Sequence, residues 1–289
     1  MSQKCPKCRA DRNVSVRFGH FIRKSDKRRI QRLKCQSCSH VYSKATFQEC
    51  YRQRKREINP RVVELLCSGV SQRRSARILR VNRKTVVRKF LFMALKAKIS
   101  NFKKYLSLKD VDHVQFDDLE TSEHTKCKPL SVTLAVEKKS RRILAFKVTM
   151  MPAKGHLAKK ALKKYGPRGD FRSIGRYFVF QKLSPKLSPK ALIESDENPH
   201  YKDDIRDFLP QGIVHKTYLG QRGSIVGQGE LKKIRFDPLF SLNHTCAMLR
   251  ANINRLFRKT WCTTKLAQRL SHHIELYTYY HNEVLLKAS

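Results

Sequence analysis

Acidic residues are scarce in this sequence, and long apolar runs are absent. Of its 289 residues, 63 are Lys or Arg and 23 are Asp or Glu, which gives a formal net charge of +40. No apolar stretch approaches the roughly 18 residues of a membrane-spanning helix, and Lys4, Lys7 and Arg9 surround cysteines rather than precede an apolar signal segment. These absences argue against a membrane protein. The charge predicts a polyanionic partner, because neutralising phosphates releases condensed counterions.

Nine cysteines are present, and four of them have paired spacing. They form Cys5-x2-Cys8 and Cys35-x2-Cys38. A two-residue gap lets both thiolates of a pair approach one ion, and two such pairs complete a tetrahedral Zn²⁺ site. Two disulfides or four unrelated thiols are the alternatives, and the scattered spacing of the other cysteines fits a reducing cytoplasm. We expect a zinc ribbon over residues 1–45, with the metal supplying its folding energy.

Residues 46–107 have the pattern of three helices. Asn59-Pro60 is expected to start the first, Ser71 to cap the second and Asn82 to cap the third after a turn at residues 80–82. This arrangement predicts a helix-turn-helix that binds DNA, the alternative being a helical hairpin with a solvated basic face. The candidates to enter a groove are Arg83, Lys84 and Arg88. The candidates for phosphate contacts are Arg73, Arg74 and Arg77.

Residues 108–289 mix strand and helix patterns. Strands are expected at 114–117, 129–137, 142–150, 191–193 and 213–218, and helices at 156–165, 174–183, 238–259 and 265–282. Residues 182–190 and 220–229 are expected to be connectors. Trp261 is expected in the core, and His272-His273 on a helix surface. Three antiparallel strands, a helix, a strand and further helices match an RNase-H-like α/β layout.

Three short motifs carry a resemblance to a known family. The first is Val114-Gln-Phe116-Asp117-Asp118-Leu119, where a strand ends in carboxylates. The second is Ile193-Glu-Ser-Asp196, and the third is Arg250 followed by Arg255-Leu-Phe-Arg258-Lys-Thr260. With the cysteine quartet and the three helices before them, these motifs resemble bacterial insertion-sequence transposases of the DDE class, closest to the insertion-sequence-one-like group and its relatives. The resemblance covers the whole chain.

The resemblance implies a catalytic triad. Asp117 and Asp196 occupy the positions of its first two acids, and Asn243, seven residues before Arg250, occupies the position where the usual pattern has Glu. Related transposases carry Asn there, so a D-D-N triad is the preferred interpretation. Glu230 and Asp237 are alternatives for the third position. Weaker candidates are His244 there, and Asp118 and Glu197 beside the first two acids.

The resemblance also implies the chemistry. Asp117 would bridge two Mg²⁺ or Mn²⁺ ions, with Asp196 and Asn243 each holding one, for cleavage and strand transfer of DNA. The basic residues expected on the helix of Asn243, to follow the DNA backbone, are Arg250, Arg255, Arg258 and Lys259. The expected partners are double-stranded DNA, as element ends and target, and further copies of the chain in a homodimer or higher oligomer on the bacterial nucleoid. A non-catalytic DNA-binding regulator derived from a transposase is the alternative, and a nuclease without strand transfer a minor one.

Overall fold

The structure is a computed structural model that describes residues 4–24, 26–219, 237–257 and 260–288. The chain divides into two compact units, Met1–Arg61 and Val62–Ser289. None of the described helices combines the length and the apolar character that crossing a membrane requires.

The first unit contains a small antiparallel sheet. Its strands are β1 (Ser15–Ile22), β2 (Arg29–Cys35) and β3 (Val41–Ser43), paired in that order. Polar and apolar residues alternate over residues 12–21 and 28–33, which predicts two antiparallel strands. Strands β1 and β2 confirm them, and β3 adds a third. Its buried cluster consists of Cys5, Leu33, Cys35 and Tyr42. So small a core needs a further source of stability, such as a bound metal.

Three helices follow: α1 (Asn59–Leu66), α2 (Gln72–Ile78) and α3 (Arg83–Leu106). Both predicted caps are confirmed. The Ser71 hydroxyl accepts a hydrogen bond from the Arg74 N–H at 3.3 Å, and the Asn82 side chain accepts one from the Lys84 N–H at 2.8 Å. The expected cap at Asn59 is wrong, because that residue already has helical dihedrals after a 3-10 turn at Arg56–Ile58.

The second unit is built on a five-stranded sheet in the order β6-β5-β4-β7-β8. Strands β4, β5 and β6 are antiparallel, and β7 and β8 run parallel to β4. The strands are β4 (Val111–Ser122), β5 (Pro129–Glu137), β6 (Ile143–Met150), β7 (Leu187–Asp196) and β8 (Val214–Tyr218). The helices are α4 (Leu157–Tyr165), α5 (Arg172–Leu183), α6 (Pro199–Phe208), α7 (Phe240–Asn252) and α8 (Ala267–Tyr280). The fold is therefore of mixed α/β class.

Helices cover both faces of this sheet. Phe116 on β4 packs against Phe180 of α5 and Tyr201 of α6, with ring centroids 5.0 and 4.7 Å apart. Its neighbour Gln115 points to the opposite face, because side chains alternate along a strand, and there its Oε1 accepts a hydrogen bond from the Leu242 N–H of α7 at 3.0 Å. The strand that carries Asp117 is thus fixed from both sides.

Four features differ from the sequence-based expectations. Strand β4 continues to Ser122, so Asp117 and Asp118 lie within the strand rather than at its end. Strand β7 begins at Leu187, inside the expected connector, and α6 was not expected at all. Helix α7 ends at Asn252 rather than continuing to residue 259, because Ile253 is extended (φ −101°, ψ 104°). The Asn252 carbonyl there accepts a hydrogen bond from the Gly69 N–H at 2.7 Å.

The compact units also differ from the three expected segments. Helix α3 packs along α8: the rings of Phe90 and His273 are 5.5 Å apart, and the Asn101 side chain donates to Glu275 Oε1 at 2.7 Å. These contacts place α2 and α3 in the same unit as the sheet, so no boundary between compact units falls at residue 107. The division into 1–45, 46–107 and 108–289 remains a prediction about functional modules.

A polar contact holds the end of the chain against the sheet. Helix α8 continues into a π-helical turn at His281–Leu285 and the short α9 (Leu286–Ala288). The Asn282 amide accepts from the Ile143 N–H at 3.0 Å and donates to the Ile143 carbonyl at 2.9 Å. Ile143 begins β6, which is an edge strand. One side chain therefore pairs with the edge as a neighbouring strand would.

Candidate functional site

The four paired cysteines converge on one point. Their sulfur atoms all lie within 4.8 Å of one another, and the Cys5–Cys38 and Cys8–Cys35 Sγ distances are both 3.6 Å. A tetrahedral ion with bonds of about 2.3 Å to sulfur requires sulfur–sulfur distances of about 3.8 Å. The four cysteines form no disulfide. The quartet therefore fits a metal such as zinc. The alternative of two disulfides does not agree with the structure.

The backbone around the two cysteine pairs repeats the same turn. Arg9 and Ser39, each the residue after a pair, have φ of 61° and 56°, in the left-handed region. The Cys5 N–H donates to the Ala10 carbonyl at 2.8 Å, and the Cys35 N–H to the His40 carbonyl at 3.0 Å. Each of the two matching turns thus presents two thiols. Strand β2 ends at Cys35, so it leads directly into the second turn.

Asp117 and Asp196 lie on adjacent strands, close enough for their charges to interact. Strands β4 and β7 are parallel, and their pairing extends to Gln115 opposite Glu194, two residues before each acid. Side chains two residues apart point to the same face of a strand, and neighbouring strands are about 4.8 Å apart. Asp196 is the last residue of β7. The sheet therefore brings together the two acids that the sequence predicts as partners.

The charges of the two acids interact. Burial raises the pKa of Asp117 to about 6, with the negative charge of Asp196 as the next largest cause. The negative charge of Asp117 also affects α7. Burial, and then that charge, raise the pKa of Cys246 to about 12. A half-buried pair of carboxylates is a place where a cation would be stabilised, because it would relieve their repulsion.

Asp117 is held by neighbours that the sequence did not reveal. The Tyr201 hydroxyl donates to Asp117 Oδ1 at 3.0 Å and accepts from the Asp118 N–H at 3.1 Å. Tyr201 comes from α6, the helix that was not expected. In the sequence, the only indication of this contact is that Tyr201, a largely apolar residue, comes shortly after Asp196.

Asp118 is committed to a different contact. Its carboxylate accepts from Thr133 and, at 2.6 Å, from Arg176 Nη1, and Arg176 also binds Asp204. Arg176 is 3% exposed. Both oxygens of Asp118 are thereby engaged by protein donors, so Asp118 is a poor substitute for Asp117. Glu197, the candidate beside Asp196, is exposed.

The third position lies on α7. Asn243 is exposed and its amide nitrogen donates to Asp237 Oδ2 at 2.9 Å, while Asp237 Oδ1 accepts from the Leu239 N–H at 2.9 Å. Asn243 is one helical turn before Cys246, whose thiol feels the charge of Asp117. His244 packs against the Phe240 ring at 5.5 Å. Glu230 lies outside the described residues.

The part of the chain that the structure describes holds no third acid at the Asp117–Asp196 pair. Among those residues, the cysteine quartet is the one group of three or more His, Cys, Asp or Glu side chains close enough to share an ion. An amide oxygen is a neutral ligand that hard cations accept. The assignment of Asn243 as that ligand stays a prediction.

Apart from Arg255, the predicted DNA-contact residues divide into three groups. All six on α2 and α3 are exposed: Arg73, Arg74, Arg77, Arg83, Lys84 and Arg88. Arg250 lies on α7 two turns after Asn243, as expected. Arg258 and Lys259 lie outside the described residues.

Arg255 corrects the prediction for the C-terminal basic residues. It follows the end of α7 in a 3-10 turn and its guanidinium lies over the Phe90 ring, 5.8 Å from the centroid. Burial lowers its pKa. The expectation that one helix carries both Asn243 and Arg255 is wrong, because the helix stops at Asn252, and Arg255 packs against α3.

Comparison with known proteins adds no family to this geometry. No protein-family model matches the chain, and no curated protein matches it either. The function is therefore argued from the residues and their arrangement alone.

Proposed function

We propose that this chain is a DNA transposase of the DDE class with a D-D-N triad, which binds the ends of its element and cuts and joins DNA. The observation that carries the proposal is the pairing of Asp117, in the middle of β4, with Asp196, at the end of the adjacent parallel strand β7, together with an elevated pKa at Asp117. A carboxylate whose pKa is raised by burial and by a neighbouring negative charge is typical of functional sites. Three antiparallel strands beside two parallel ones support the RNase-H-like layout predicted from the sequence.

The residues have distinct roles in this proposal. Two divalent cations, when bound, would activate the attacking oxygen and stabilise the leaving one during displacement at phosphorus. Asp117 would contact both cations, and Asp196 and Asn243 one each. Tyr201 would orient Asp117 through its hydrogen bond to Oδ1. The exposed basic residues of α2 and α3 would bind the element ends, and a zinc-bound cysteine quartet would hold the N-terminal unit.

A cleavage assay tests the proposal. The probe is a plasmid that carries the DNA flanking the gene on both sides, incubated with purified protein and Mg²⁺ or Mn²⁺. We expect nicking at the element ends, followed by strand transfer. Asp117→Asn and Asp196→Asn should lose at least about a thousandfold in rate, because each removes charge that holds the cations, yet bind the same DNA. Asp203→Asn, an exposed acid on α6, is the matched control and should cleave normally.

A non-catalytic DNA-binding regulator is the second candidate. The observation that favours it is the neutral Asn243 where an acid would complete the site. In this case the protein binds the flanking DNA, but neither wild type nor Asn243→Glu cleaves it with any divalent cation. Cleavage that stops at nicking, without joined products, would instead indicate a nuclease.

A further inference from the structure

The C-terminal half of α3 carries a row of apolar side chains on its outer surface. Four of them are 50–57% exposed: Leu95, Ile99, Phe102 and Leu106. With the half-buried Phe92 they are spaced three, four, three and four residues apart, and we call these five residues the α3 stripe. This spacing is the seam of a two-stranded coiled coil, in which each side chain packs between side chains of a facing helix.

The α3 stripe is not the face that anchors α3 in its own unit. The anchoring face consists of Phe90, Ala94, Ala97 and Asn101, of which Phe90 and Asn101 contact His273 and Glu275 of α8. At about 100° per residue, the centre of the stripe lies roughly 150° around the helix from the centre of that face. Helix α3 therefore has two apolar faces, and α8 occupies one of them.

We propose that the α3 stripe pairs with the same stripe of a second copy of this chain. A seam of this spacing needs a helix with apolar side chains at matching positions, and a two-fold axis supplies one without any other protein. The area supports a reversible contact. The segment from Phe92 to Leu106 is about 21 Å long, and one such strip covers less than the roughly 800 Å² per partner of a standard stable interface.

Charge selects the antiparallel orientation. Helix α3 contains no acidic residue, and its N-terminal part carries Arg83, Lys84 and Arg88. Parallel pairing would place these cations beside their copies. Antiparallel pairing sets Leu95 opposite Leu106 and Ile99 opposite Phe102, and separates the two Arg88 residues by about 38 Å along the helix axes. One turn of B-DNA, the spacing of half-sites for helix-turn-helix dimers, is about 34–36 Å.

The lysines beside the stripe give the contact an unusual salt dependence. In the antiparallel pair, Lys96 of one copy lies near Lys103 of the other, and their repulsion opposes association. Salt screens that repulsion and leaves the apolar contact intact. Self-association should therefore strengthen with salt, whereas DNA binding should weaken. The pairing itself does not depend on the proposed catalytic function.

Sedimentation velocity on the full zinc-loaded protein tests the pairing, over a concentration series at about 0.15 M and about 1 M salt. We expect a reversible dimer that is tighter at high salt. The double variant Ile99→Gln/Phe102→Gln should dimerise at least about tenfold more weakly with an unchanged Tm. Leu162→Gln, which removes a 59% exposed leucine from α4, is the matched control and should behave as wild type. Lys103→Glu, which places a carboxylate beside Lys96 of the other copy, should tighten the dimer and abolish its strengthening by salt.

Two results would overturn the proposal: a wild-type protein that is monomeric at all concentrations, or a double variant that dimerises as tightly as wild type. A benzophenone amino acid in place of Leu106 reports the geometry by mass spectrometry of cross-linked peptides. A cross-link to the region of Leu95 in another copy is expected. A cross-link between the two positions 106, which the antiparallel register separates by about 16 Å along the axes, overturns the antiparallel orientation. A cross-link only within one chain shows that the chain covers its own stripe, and the pairing is then wrong.

Discussion

Asp117 shows, at the scale of a single residue, how a site can cost stability. Its folded pKa of about 6 lies above the unfolded value of about 3.9, so the folded state binds the extra proton between those values. Its contribution to stability is present at low pH and is lost as the pH rises through 6. We expect Asp117→Asn to stabilise the metal-free protein at pH 7.5 by about 1–2 kcal/mol.

Thermal unfolding at two pH values checks this prediction. The Tm difference between Asp117→Asn and wild type should be several degrees at pH 7.5 and close to zero near pH 4. Mg²⁺ should raise the Tm of wild type but not of the variant. A variant that is less stable than wild type at pH 7.5 would show that the carboxylate is satisfied without a cation.

Titration of His273 has the opposite effect on the pH dependence of stability. It was expected on a helix surface, but it is 3% exposed, its Nε2 is 2.9 Å from the Leu66 carbonyl oxygen, and burial lowers its pKa to about 4. The unfolded state binds the extra proton between pH 4 and about 6.5, so stability falls as the pH is lowered through that window. We expect His273→Gln, which does not titrate, to lose less stability than wild type between pH 6.5 and 4.5. Parallel urea titrations would test this, and equal slopes against pH would contradict it.

At the scale of elements, Arg250 and Arg255 separate two roles that the sequence pattern combined. Arg255 packs over Phe90, so Arg255→Ala should lower the Tm by several degrees through lost packing. Arg250 is on the helix of Asn243, so Arg250→Ala should weaken DNA binding or cleavage with a smaller effect on Tm. Melting curves and gel shifts on both variants make the comparison. If Arg255→Ala weakened DNA binding and Arg250→Ala instead lowered the Tm, Arg255 would be a DNA-contact residue.

Local signals explain which elements could be predicted. Side-chain caps at Ser71 and Asn82 and the alternation along residues 129–137 are written in a few neighbouring residues, and the structure has them where expected. Other features depend on distant partners. Helix α7 stops at Asn252, where the Gly69 N–H meets its last turn, and Tyr201 reaches Asp117 because α6 packs on Phe116. Trp261, expected in the core, is 78% exposed. Such contacts are long-range and leave no pattern in the sequence around them.

At the scale of the molecule, the N-terminal unit depends on its cysteine quartet. We expect one zinc ion per chain by mass spectrometry under native conditions. Chelation should unfold residues of the first unit, because its buried cluster is too small to hold alone. Cys35→Ser should do the same, whereas Cys50→Ser, a partly buried cysteine of that unit outside the quartet, should keep the metal. The second unit has its own core and should melt at an unchanged temperature.

The Asn282 contact with Ile143 has a consequence for strand addition between copies of this protein. An open β-strand edge offers free N–H and C=O groups on which another chain can add a strand, and β6 is such an edge. The Asn282 amide occupies both groups of the first residue of β6, so an incoming strand would have to displace it to start hydrogen bonding there. Asn282 lies in the π-helical turn. The Asn282 amide thereby blocks the addition of a further strand at the start of this edge, which is how fibre-like growth would begin.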